Sequence, residues 1–320
     1  MERQPRYNIE SFEFTVITDT TLKMPNSAHG RACLALVVLG LMSGVACRRE
    51  EPEPPPVATP SFSVTQTRVP LGSPVEVTYK FVVSPAAPKI SENYRVFVHF
   101  LDADNERMWA DDHELPVPTT QWKPGQVIEY TRTMFVPIYP YQGATTVLMG
   151  LYSLASDSRL PLAGPNNGQR AYTVGQLELL PRTESIFVMF KDGWHPAETP
   201  PDNAAVEWQW TKKEATLSVR NPKKDVTLYL HLDQPGLFPE AQQVTVTLGD
   251  QVIDSFAIAP KQELIRKPTI TSAQLGTGDV VDLKISVDKS YVPAVVTSGK
   301  NRDPRELGVR VFHAYVQPIS

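Results

Sequence analysis

Thiol chemistry has almost nothing to work with in this chain. Its 320 residues include two cysteines, Cys33 and Cys47, and no other follows. In the body after residue 47, disulfides, thiol nucleophiles and cysteine metal ligands are therefore excluded. No Gly-x-Ser-x-Gly turn occurs, and "LGTGD" at 275–279 lacks the lysine of a phosphate-binding loop. Serine hydrolase and nucleotide-binding readings have no local support. A dominant charge is missing too, since 31 Lys and Arg oppose 35 Asp and Glu, with no long basic block. Neither nucleic acid nor a polybasic membrane patch is implied. Five single histidines, His99, His113, His195, His231 and His313, lack the organised spacing of zinc ligands. The expectation is no metal and no cofactor.

One apolar run stands out. In "ACLALVVLGLMSGVAC", fifteen largely apolar residues, 32–46, follow Arg31 and end on the small-x-small triplet Gly44-Val45-Ala46. That is the layout of a signal-peptide core, too short to span a bilayer comfortably. "MPNSAHGR" from Met24 is a normal lead-in, so residues 1–23 are read as a gene-start artefact and 24–46 as the signal. "SGVAC" resembles the lipobox at which bacterial lipoproteins are cleaved and acylated, which implies a lipid on Cys47. Gly44 stands where that family prefers Leu, Val or Ile, so plain secretion and an uncleaved anchor stay open. Acyl chains would tie the chain to a membrane by burying methylenes at about 0.8 kcal/mol each. Arg48 replaces the aspartate associated with inner-membrane retention, which favours the outer membrane in a diderm cell. The expected location is the cell envelope, outside the cytoplasm.

From 47 to 60, "CRREEPEPPPVATP" is dense in Pro and Glu and reads as a semi-rigid tether. Beyond it, apolar runs such as "VEVTYKFVV", "TTVLMGLYS", "VTLYLHL" and "LGVRVFHAYV" are short, alternating and bounded by turn residues. These are strand signals, without convincing 3.6-residue periodicity. Thirty prolines also sit more easily at strand ends and sheet edges than in helices. The expected fold is all-β: two consecutive β-sandwiches, immunoglobulin-like or jelly-roll-like, over 61–181 and 182–320.

The densest polar stretch is "YRVFVHFLDADNERMWADDH", 94–113. A two-residue turn at Asp104-Asn105 suits positive φ and pairs Phe100 with Trp109, Leu101 with Met108, Asp102 with Arg107 and His99 with Ala110. Asp112 then lies diagonal to His99. An acid/base dyad of His99 and Asp112 would need a third group that the local sequence does not position. A structural hydrogen bond between them is the expectation. "DADNE" begins like a calcium loop, but His113 occupies the twelfth position, where a bidentate carboxylate is required.

Several features here go together: the Phe97-Val-His99 strand, the acidic hairpin, Asp112, Trp122-Lys-Pro-Gly125, Gly150-Leu-Tyr152 and Arg159-Leu-Pro161. The set resembles a β-sandwich domain at the extracytoplasmic ends of bacterial membrane glycosyltransferases. The resemblance covers about seventy residues, 94–162, and implies a fold and a compartment but no catalytic residues. The second half, with "FKDGWHPAE" and Asp303-Pro-Arg-Glu-Leu-Gly308, resembles the carbohydrate-binding type of jelly roll.

Aromatic rings in Pro/Gly loops are the candidate ligand contacts, because a ring facing water stacks on the C–H faces of sugars. Tyr139 and Tyr141 in "IYPYQG" and Trp194 in "DGWHPAE" meet that description. Trp208, Trp210 and Trp109 are expected in the core. The sequence reading is a non-catalytic, lipid-anchored envelope protein with an envelope polysaccharide or protein as partner. The alternatives are an enzyme of envelope polysaccharide metabolism, using Glu198 or Asp202 at an inter-domain cleft, and a structural subunit of an envelope assembly.

Overall fold

A computed structural model describes residues 54–201, 206–298 and 300–319. Cys47, the signal, the first half of the tether and Asp202 lie outside the described residues. Residues 53–320 form one compact unit, whose regular elements are nearly all strands. The first eight are β1 (Ala58–Val64), β2 (Arg68–Pro70), β3 (Pro74–Val83), β4 (Arg95–Leu101), β5 (Arg107–Ala110), β6 (Val127–Phe135), β7 (Gly143–Tyr152) and β8 (Tyr172–Leu180). The next five are β9 (Val188–Phe190), β10 (Gln209–Trp210), β11 (Glu214–Arg220), β12 (Val226–Gln234) and β13 (Gln242–Leu248). The last five are β14 (Gln251–Ile258), β15 (Gln262–Arg266), β16 (Thr269–Ile270), β17 (Val280–Val287) and β18 (Arg310–Pro318). Two one-turn helices, α1 (Ser272–Leu275) and α2 (Pro293–Val296), interrupt the later strands. Among the described residues no helix is long and apolar enough to cross a membrane.

The strands make four sheets, ordered β1-β3-β6, β2-β8-β7-β4-β5, β14-β13-β17-β11-β9 and β10-β18-β12-β15, with β16 also on β12. The first two share one core. In β3 the alternation of "PVEVTYKFVV" turns Val75, Val77, Tyr79 and Phe81 inward, onto Val96, Val98 and Phe100 of β4 and Val147, Met149 and Leu151 of β7. The period of two places these residues on one face of each pleated strand. The other two sheets enclose a second core, where Leu217 and Val219, Val244 and Val246, and Leu283, Ile285 and Val287 meet Leu228, Leu230, Leu232, Val311 and Val316. The architecture is the expected all-β sandwich.

The body starts earlier than expected. Ala58 to Pro60, assigned to the tether from sequence, pair with Val83 to Phe81 in β1, and Val57 and Ala58 are buried. Pro60 is tolerated there because β1 is an edge strand, where the missing N–H costs no ladder bond.

Candidate functional site

Between β4 and β5 the hairpin keeps two of the expected pairs, His99 with Ala110 and Phe100 with Trp109, but Leu101 faces Arg107. The turn is a three-residue loop, not the expected two-residue one. Asn105 adopts φ 64°, its N–H reaches the Asp102 carbonyl, and Asp102 pairs with Glu106. The cause is the Asp102 carboxylate, whose Oδ1 accepts the N–H groups of both Asp104 and Glu106. That local bond competes with the tighter turn and removes Asp102 from the expected pairing with Arg107. Met108 becomes the extra residue of a bulge and packs on the first core.

Beyond the hairpin, the polar residues separate. Asp111 and His113 enter the space between the first two sheets. The Tyr79 hydroxyl donates to Asp111 Oδ2 at 2.7 Å and Arg132 donates to Oδ1 at 3.1 Å. His113 Nδ1 donates to the Asp111 carbonyl at 2.7 Å, which leaves Nε2 to accept the Tyr130 hydroxyl at 2.7 Å. Burial holds the His113 pKa below the ordinary value, opposed by the Asp111 carbonyl, and pushes both tyrosine hydroxyls upward. The neutral imidazole is thus the resting form. Every member has a partner, so the network is a structural pin joining β3 and β6 to the segment after β5.

His99 and Asp112 do not form the expected hydrogen bond. Asp112 Oδ1 instead accepts the Val98 N–H at 3.1 Å, and His99 lies 3.5 Å from an Arg107 nitrogen. Its ring neighbours Phe97 at 5.0 Å on the outer face of the sheet. Phe97 itself lies across Gly150 in the β4–β7 register, where a Cβ would overlap the ring. The Arg159 guanidinium covers it at 4.6 Å. Phe97, Gly150 and Arg159 thereby owe their joint occurrence to one packed surface.

A second imidazole cluster lies where the two sandwiches meet. His231 on β12 and His313 on β18 are cross-strand partners, with Nδ1 atoms 3.1 Å apart and rings nearly parallel. His231 Nε2 reaches Glu263 Oε1 at 2.6 Å, and this bond holds the Glu263 carboxyl below its ordinary pKa. With Glu263 ionised, His231 donates from Nε2; in the neutral ring its Nδ1 accepts from His313. Phe135 of the first sandwich stacks on His313 at 4.1 Å and 8°. Burial, reinforced by His231, lowers the His313 pKa to about 4. Lys267 closes the seam on Glu76 at 3.1 Å. Phe135 and Phe312 stack on these rings, and among the described residues no group of three or more His, Cys, Asp or Glu is placed to hold a metal.

The loop aromatics singled out from sequence are largely anchors. Tyr141 donates to the Ala144 carbonyl at 2.7 Å and packs on the first core. Trp194 donates to the Thr216 carbonyl at 2.9 Å, meets Phe190 edge-on and packs on the second core. Tyr139 is partly exposed and is not brought together with either. Trp210 is buried, while Trp208 lies under the Arg310 guanidinium at 4.8 Å. Glu198 is held by Arg305 at 2.5 Å, and the same guanidinium grips Asp303.

A concave, open surface lies at one end of the first sandwich, between the segment after β3 and the segment before β6. It encloses about 730 Å³ and is lined by Pro88, Lys89, Gln121, Trp122, Lys123 and Gln126, among others. Volumes of this order suit small ligands. Its walls are firmly tied. Val83 N–H donates to the Gln126 carbonyl at 2.8 Å, and Gly125, at φ 76°, donates to the Val83 carbonyl. Thr119, buried in a helical turn, donates to the Glu92 carbonyl and accepts the Tyr94 N–H. Trp122 packs on the first core and is fixed by its Nε1 bond to the Val117 carbonyl at 3.0 Å and by contact with Phe81 at 5.5 Å, an anchoring like that of Tyr141 and Trp194, and it differs from them in lining the groove. Its orientation is therefore set before any ligand arrives. The sequence signal for it was available: "QWKPGQ" is an aromatic in a Pro/Gly loop, the criterion applied to Trp194.

No family model and no curated protein matches the chain. Among solved structures it is similar to a family GH115 4-O-methyl-α-glucuronidase with specificity for decorated arabinogalactans, at 13% identity over 42% of this chain and 18% of that one, TM-score 0.28. It is also similar to the secreted serine protease VesC from Vibrio cholerae, at 10% identity over 81% and 51%, TM-score 0.24. A third is a Bacteroides uniformis β-glucuronidase, at 11% identity over 82% and 30%, TM-score 0.27. The chain spans about half of the protease and less than a third of either glucuronidase. At these scores the likeness bears on neither fold nor activity.

Proposed function

We propose that the protein is a non-catalytic, lipid-anchored component of the cell envelope that binds glycan through the end groove of its first sandwich. The observation that carries this reading is Trp122, a ring oriented by its own hydrogen bond and by Phe81 along an open cleft that also carries the Gln121 amide and the Gln126 amide nitrogen. An aromatic face takes sugar C–H groups, and neighbouring amides take hydroxyls. Preorganisation lowers the ordering cost that ordinarily weakens such sites. The lipobox-like "SGVAC" places the anchor on Cys47, and the Pro/Glu stretch gives the body reach from the bilayer. The enzyme alternative loses support at Glu198, whose carboxylate is engaged by Arg305.

Two measurements test this reading. Intact-mass analysis of the mature N-terminus is expected to find acyl chains on Cys47; an unmodified cysteine overturns the anchor. A glycan array probed with the full-length protein in detergent is expected to show binding that Trp122→Ala abolishes. Silence across envelope polysaccharides overturns the binding role.

A further inference from the structure

Charge in the groove is one-sided. Lys89 and Lys123 both line it, and no acidic residue does. Neither ammonium group has an ion pair or side-chain hydrogen bond among the described residues. In a chain of net charge -4, Lys80, Lys191, Lys223, Lys267, Lys284 and Lys289 are each paired with a carboxylate, while Lys89 and Lys123 belong with the other described lysines that are not. Carboxylates nearby are already engaged: Glu92 accepts hydrogen bonds from Tyr94, Ser153 and Ser156, and Glu129 pairs with Lys80.

We infer that the groove selects a glycan bearing carboxylate groups, a uronate-containing chain, with Trp122 under the sugar ring and Lys89 and Lys123 meeting the carboxylates. This rests on the reading of the groove as a glycan site and names the class of sugar. Two like charges lining one cleft give it a positive potential when it is empty. An anion is attracted by that potential, whereas a neutral sugar is not. Lysine suits the task as a point charge on a flexible stem, able to follow carboxylates at differing positions along a polymer. Because both lysines are exposed, the preference is sensitive to salt.

The test uses the full-length protein in detergent and titrates matched oligosaccharides: an oligouronate, its carboxyl-reduced neutral counterpart of identical linkage, and inorganic polyphosphate. The expected result is at least tenfold tighter binding of the uronate than of the neutral chain at low salt. That advantage shrinks as ionic strength rises, and is lost in the Lys89→Ala/Lys123→Ala double variant, which keeps its binding of the neutral chain. Trp122→Ala is expected to lose both sugars. Equal affinity for uronate and neutral chains overturns the inference and leaves the glycan reading standing. Polyphosphate binding as tightly as the uronate, unaffected by Trp122→Ala, also overturns it, because charge alone then suffices. Binding of neither sugar overturns the glycan reading together with the inference. Unchanged thermal unfolding of the lysine variant is the control for folding, since neither side chain has a partner to lose.

Discussion

Each sandwich shields a histidine, the first fully and the second partly, and on opposite sides of its sheets. His113 is enclosed by the first sandwich's own strands, between the sheets, and is 4% exposed. His313 projects from the outer face of β18 and is covered by Phe135 of the other sandwich. The first arrangement is a network of Tyr79, Asp111, His113, Tyr130 and Arg132 in which every residue has a partner, though Arg132 Nε is buried without one. The second is a chain, Glu263 to His231 to His313, finished by a ring that belongs to the other sandwich. Polar groups pinned within one core stabilise that core, whereas polar groups at a seam couple two cores and expose the coupling to pH.

That contrast is open to direct attack. Asp111→Ala has the largest expected effect, a loss of about 3–4 kcal/mol, because the buried Tyr79 hydroxyl is left without an acceptor and Arg132 without its carboxylate. Urea unfolding followed by tryptophan fluorescence measures it. A loss below about 1 kcal/mol would mean that water replaces the network and that it is no pin.

Acidification is the next test. The His313 pKa is lowered from 6.5 to about 4 in the fold, so between those values the unfolded chain holds a proton that the folded chain refuses. Stability is therefore full above about pH 6.5, falls as the pH drops towards 4, and levels off below. The contribution is on the order of 2–3 kcal/mol. His99 and His113, whose pKa values are also lowered, act in the same direction. The diagnostic is accordingly the difference between the native chain and His313→Phe, which keeps a ring for Phe135. Identical pH profiles for the two would remove the seam from the account.

Phe135→Ala breaks the seam from the other side. A loss of about 2 kcal/mol is expected, less than for a fully buried phenylalanine because Phe135 is half-exposed. Each core should survive, and protease cleavage near the connection at 181–187 should quicken. Unchanged cleavage would show that the stack does not hold the sandwiches together. Lys267→Ala should matter least, below about 1 kcal/mol, since the Lys267 side chain in its pair with Glu76 is 42% exposed. Unfolding in low and high salt would check it.

Much of the scaffold was legible in advance because strand alternation is a local property. "VEVTYKFVV" declares its inward residues without help from any other segment; Phe100 does face Trp109, but only because the bulge at Met108 restores the register that the three-residue loop shifts. The misreadings have local and distant causes. The loop at Asp102 was misjudged by one residue, because a side chain satisfied two N–H groups that a backbone turn would otherwise have arranged. His99 was matched with Asp112 because both lie in one hairpin, while the partners that pin the neighbouring Asp111 and His113 come from β3 and β6. The groove combines segments near residues 88 and 122, and register within either says nothing of the other. Tyr141 and Trp194 were ligand candidates by composition, yet their polar atoms found backbone carbonyls once the loops closed.

By itself, then, the sequence determined the all-β class, the alternation that builds two cores and the absence of thiol chemistry from the body. These follow from a two-residue pleat and from composition, neither of which needs contact between distant segments. Only the tertiary structure decided which histidine is sealed by its own sheets and which by a neighbour, and where an oriented tryptophan meets two unpaired lysines. Those are properties of surfaces brought together across tens of residues, where desolvation and charge depend on what arrives from elsewhere in the chain.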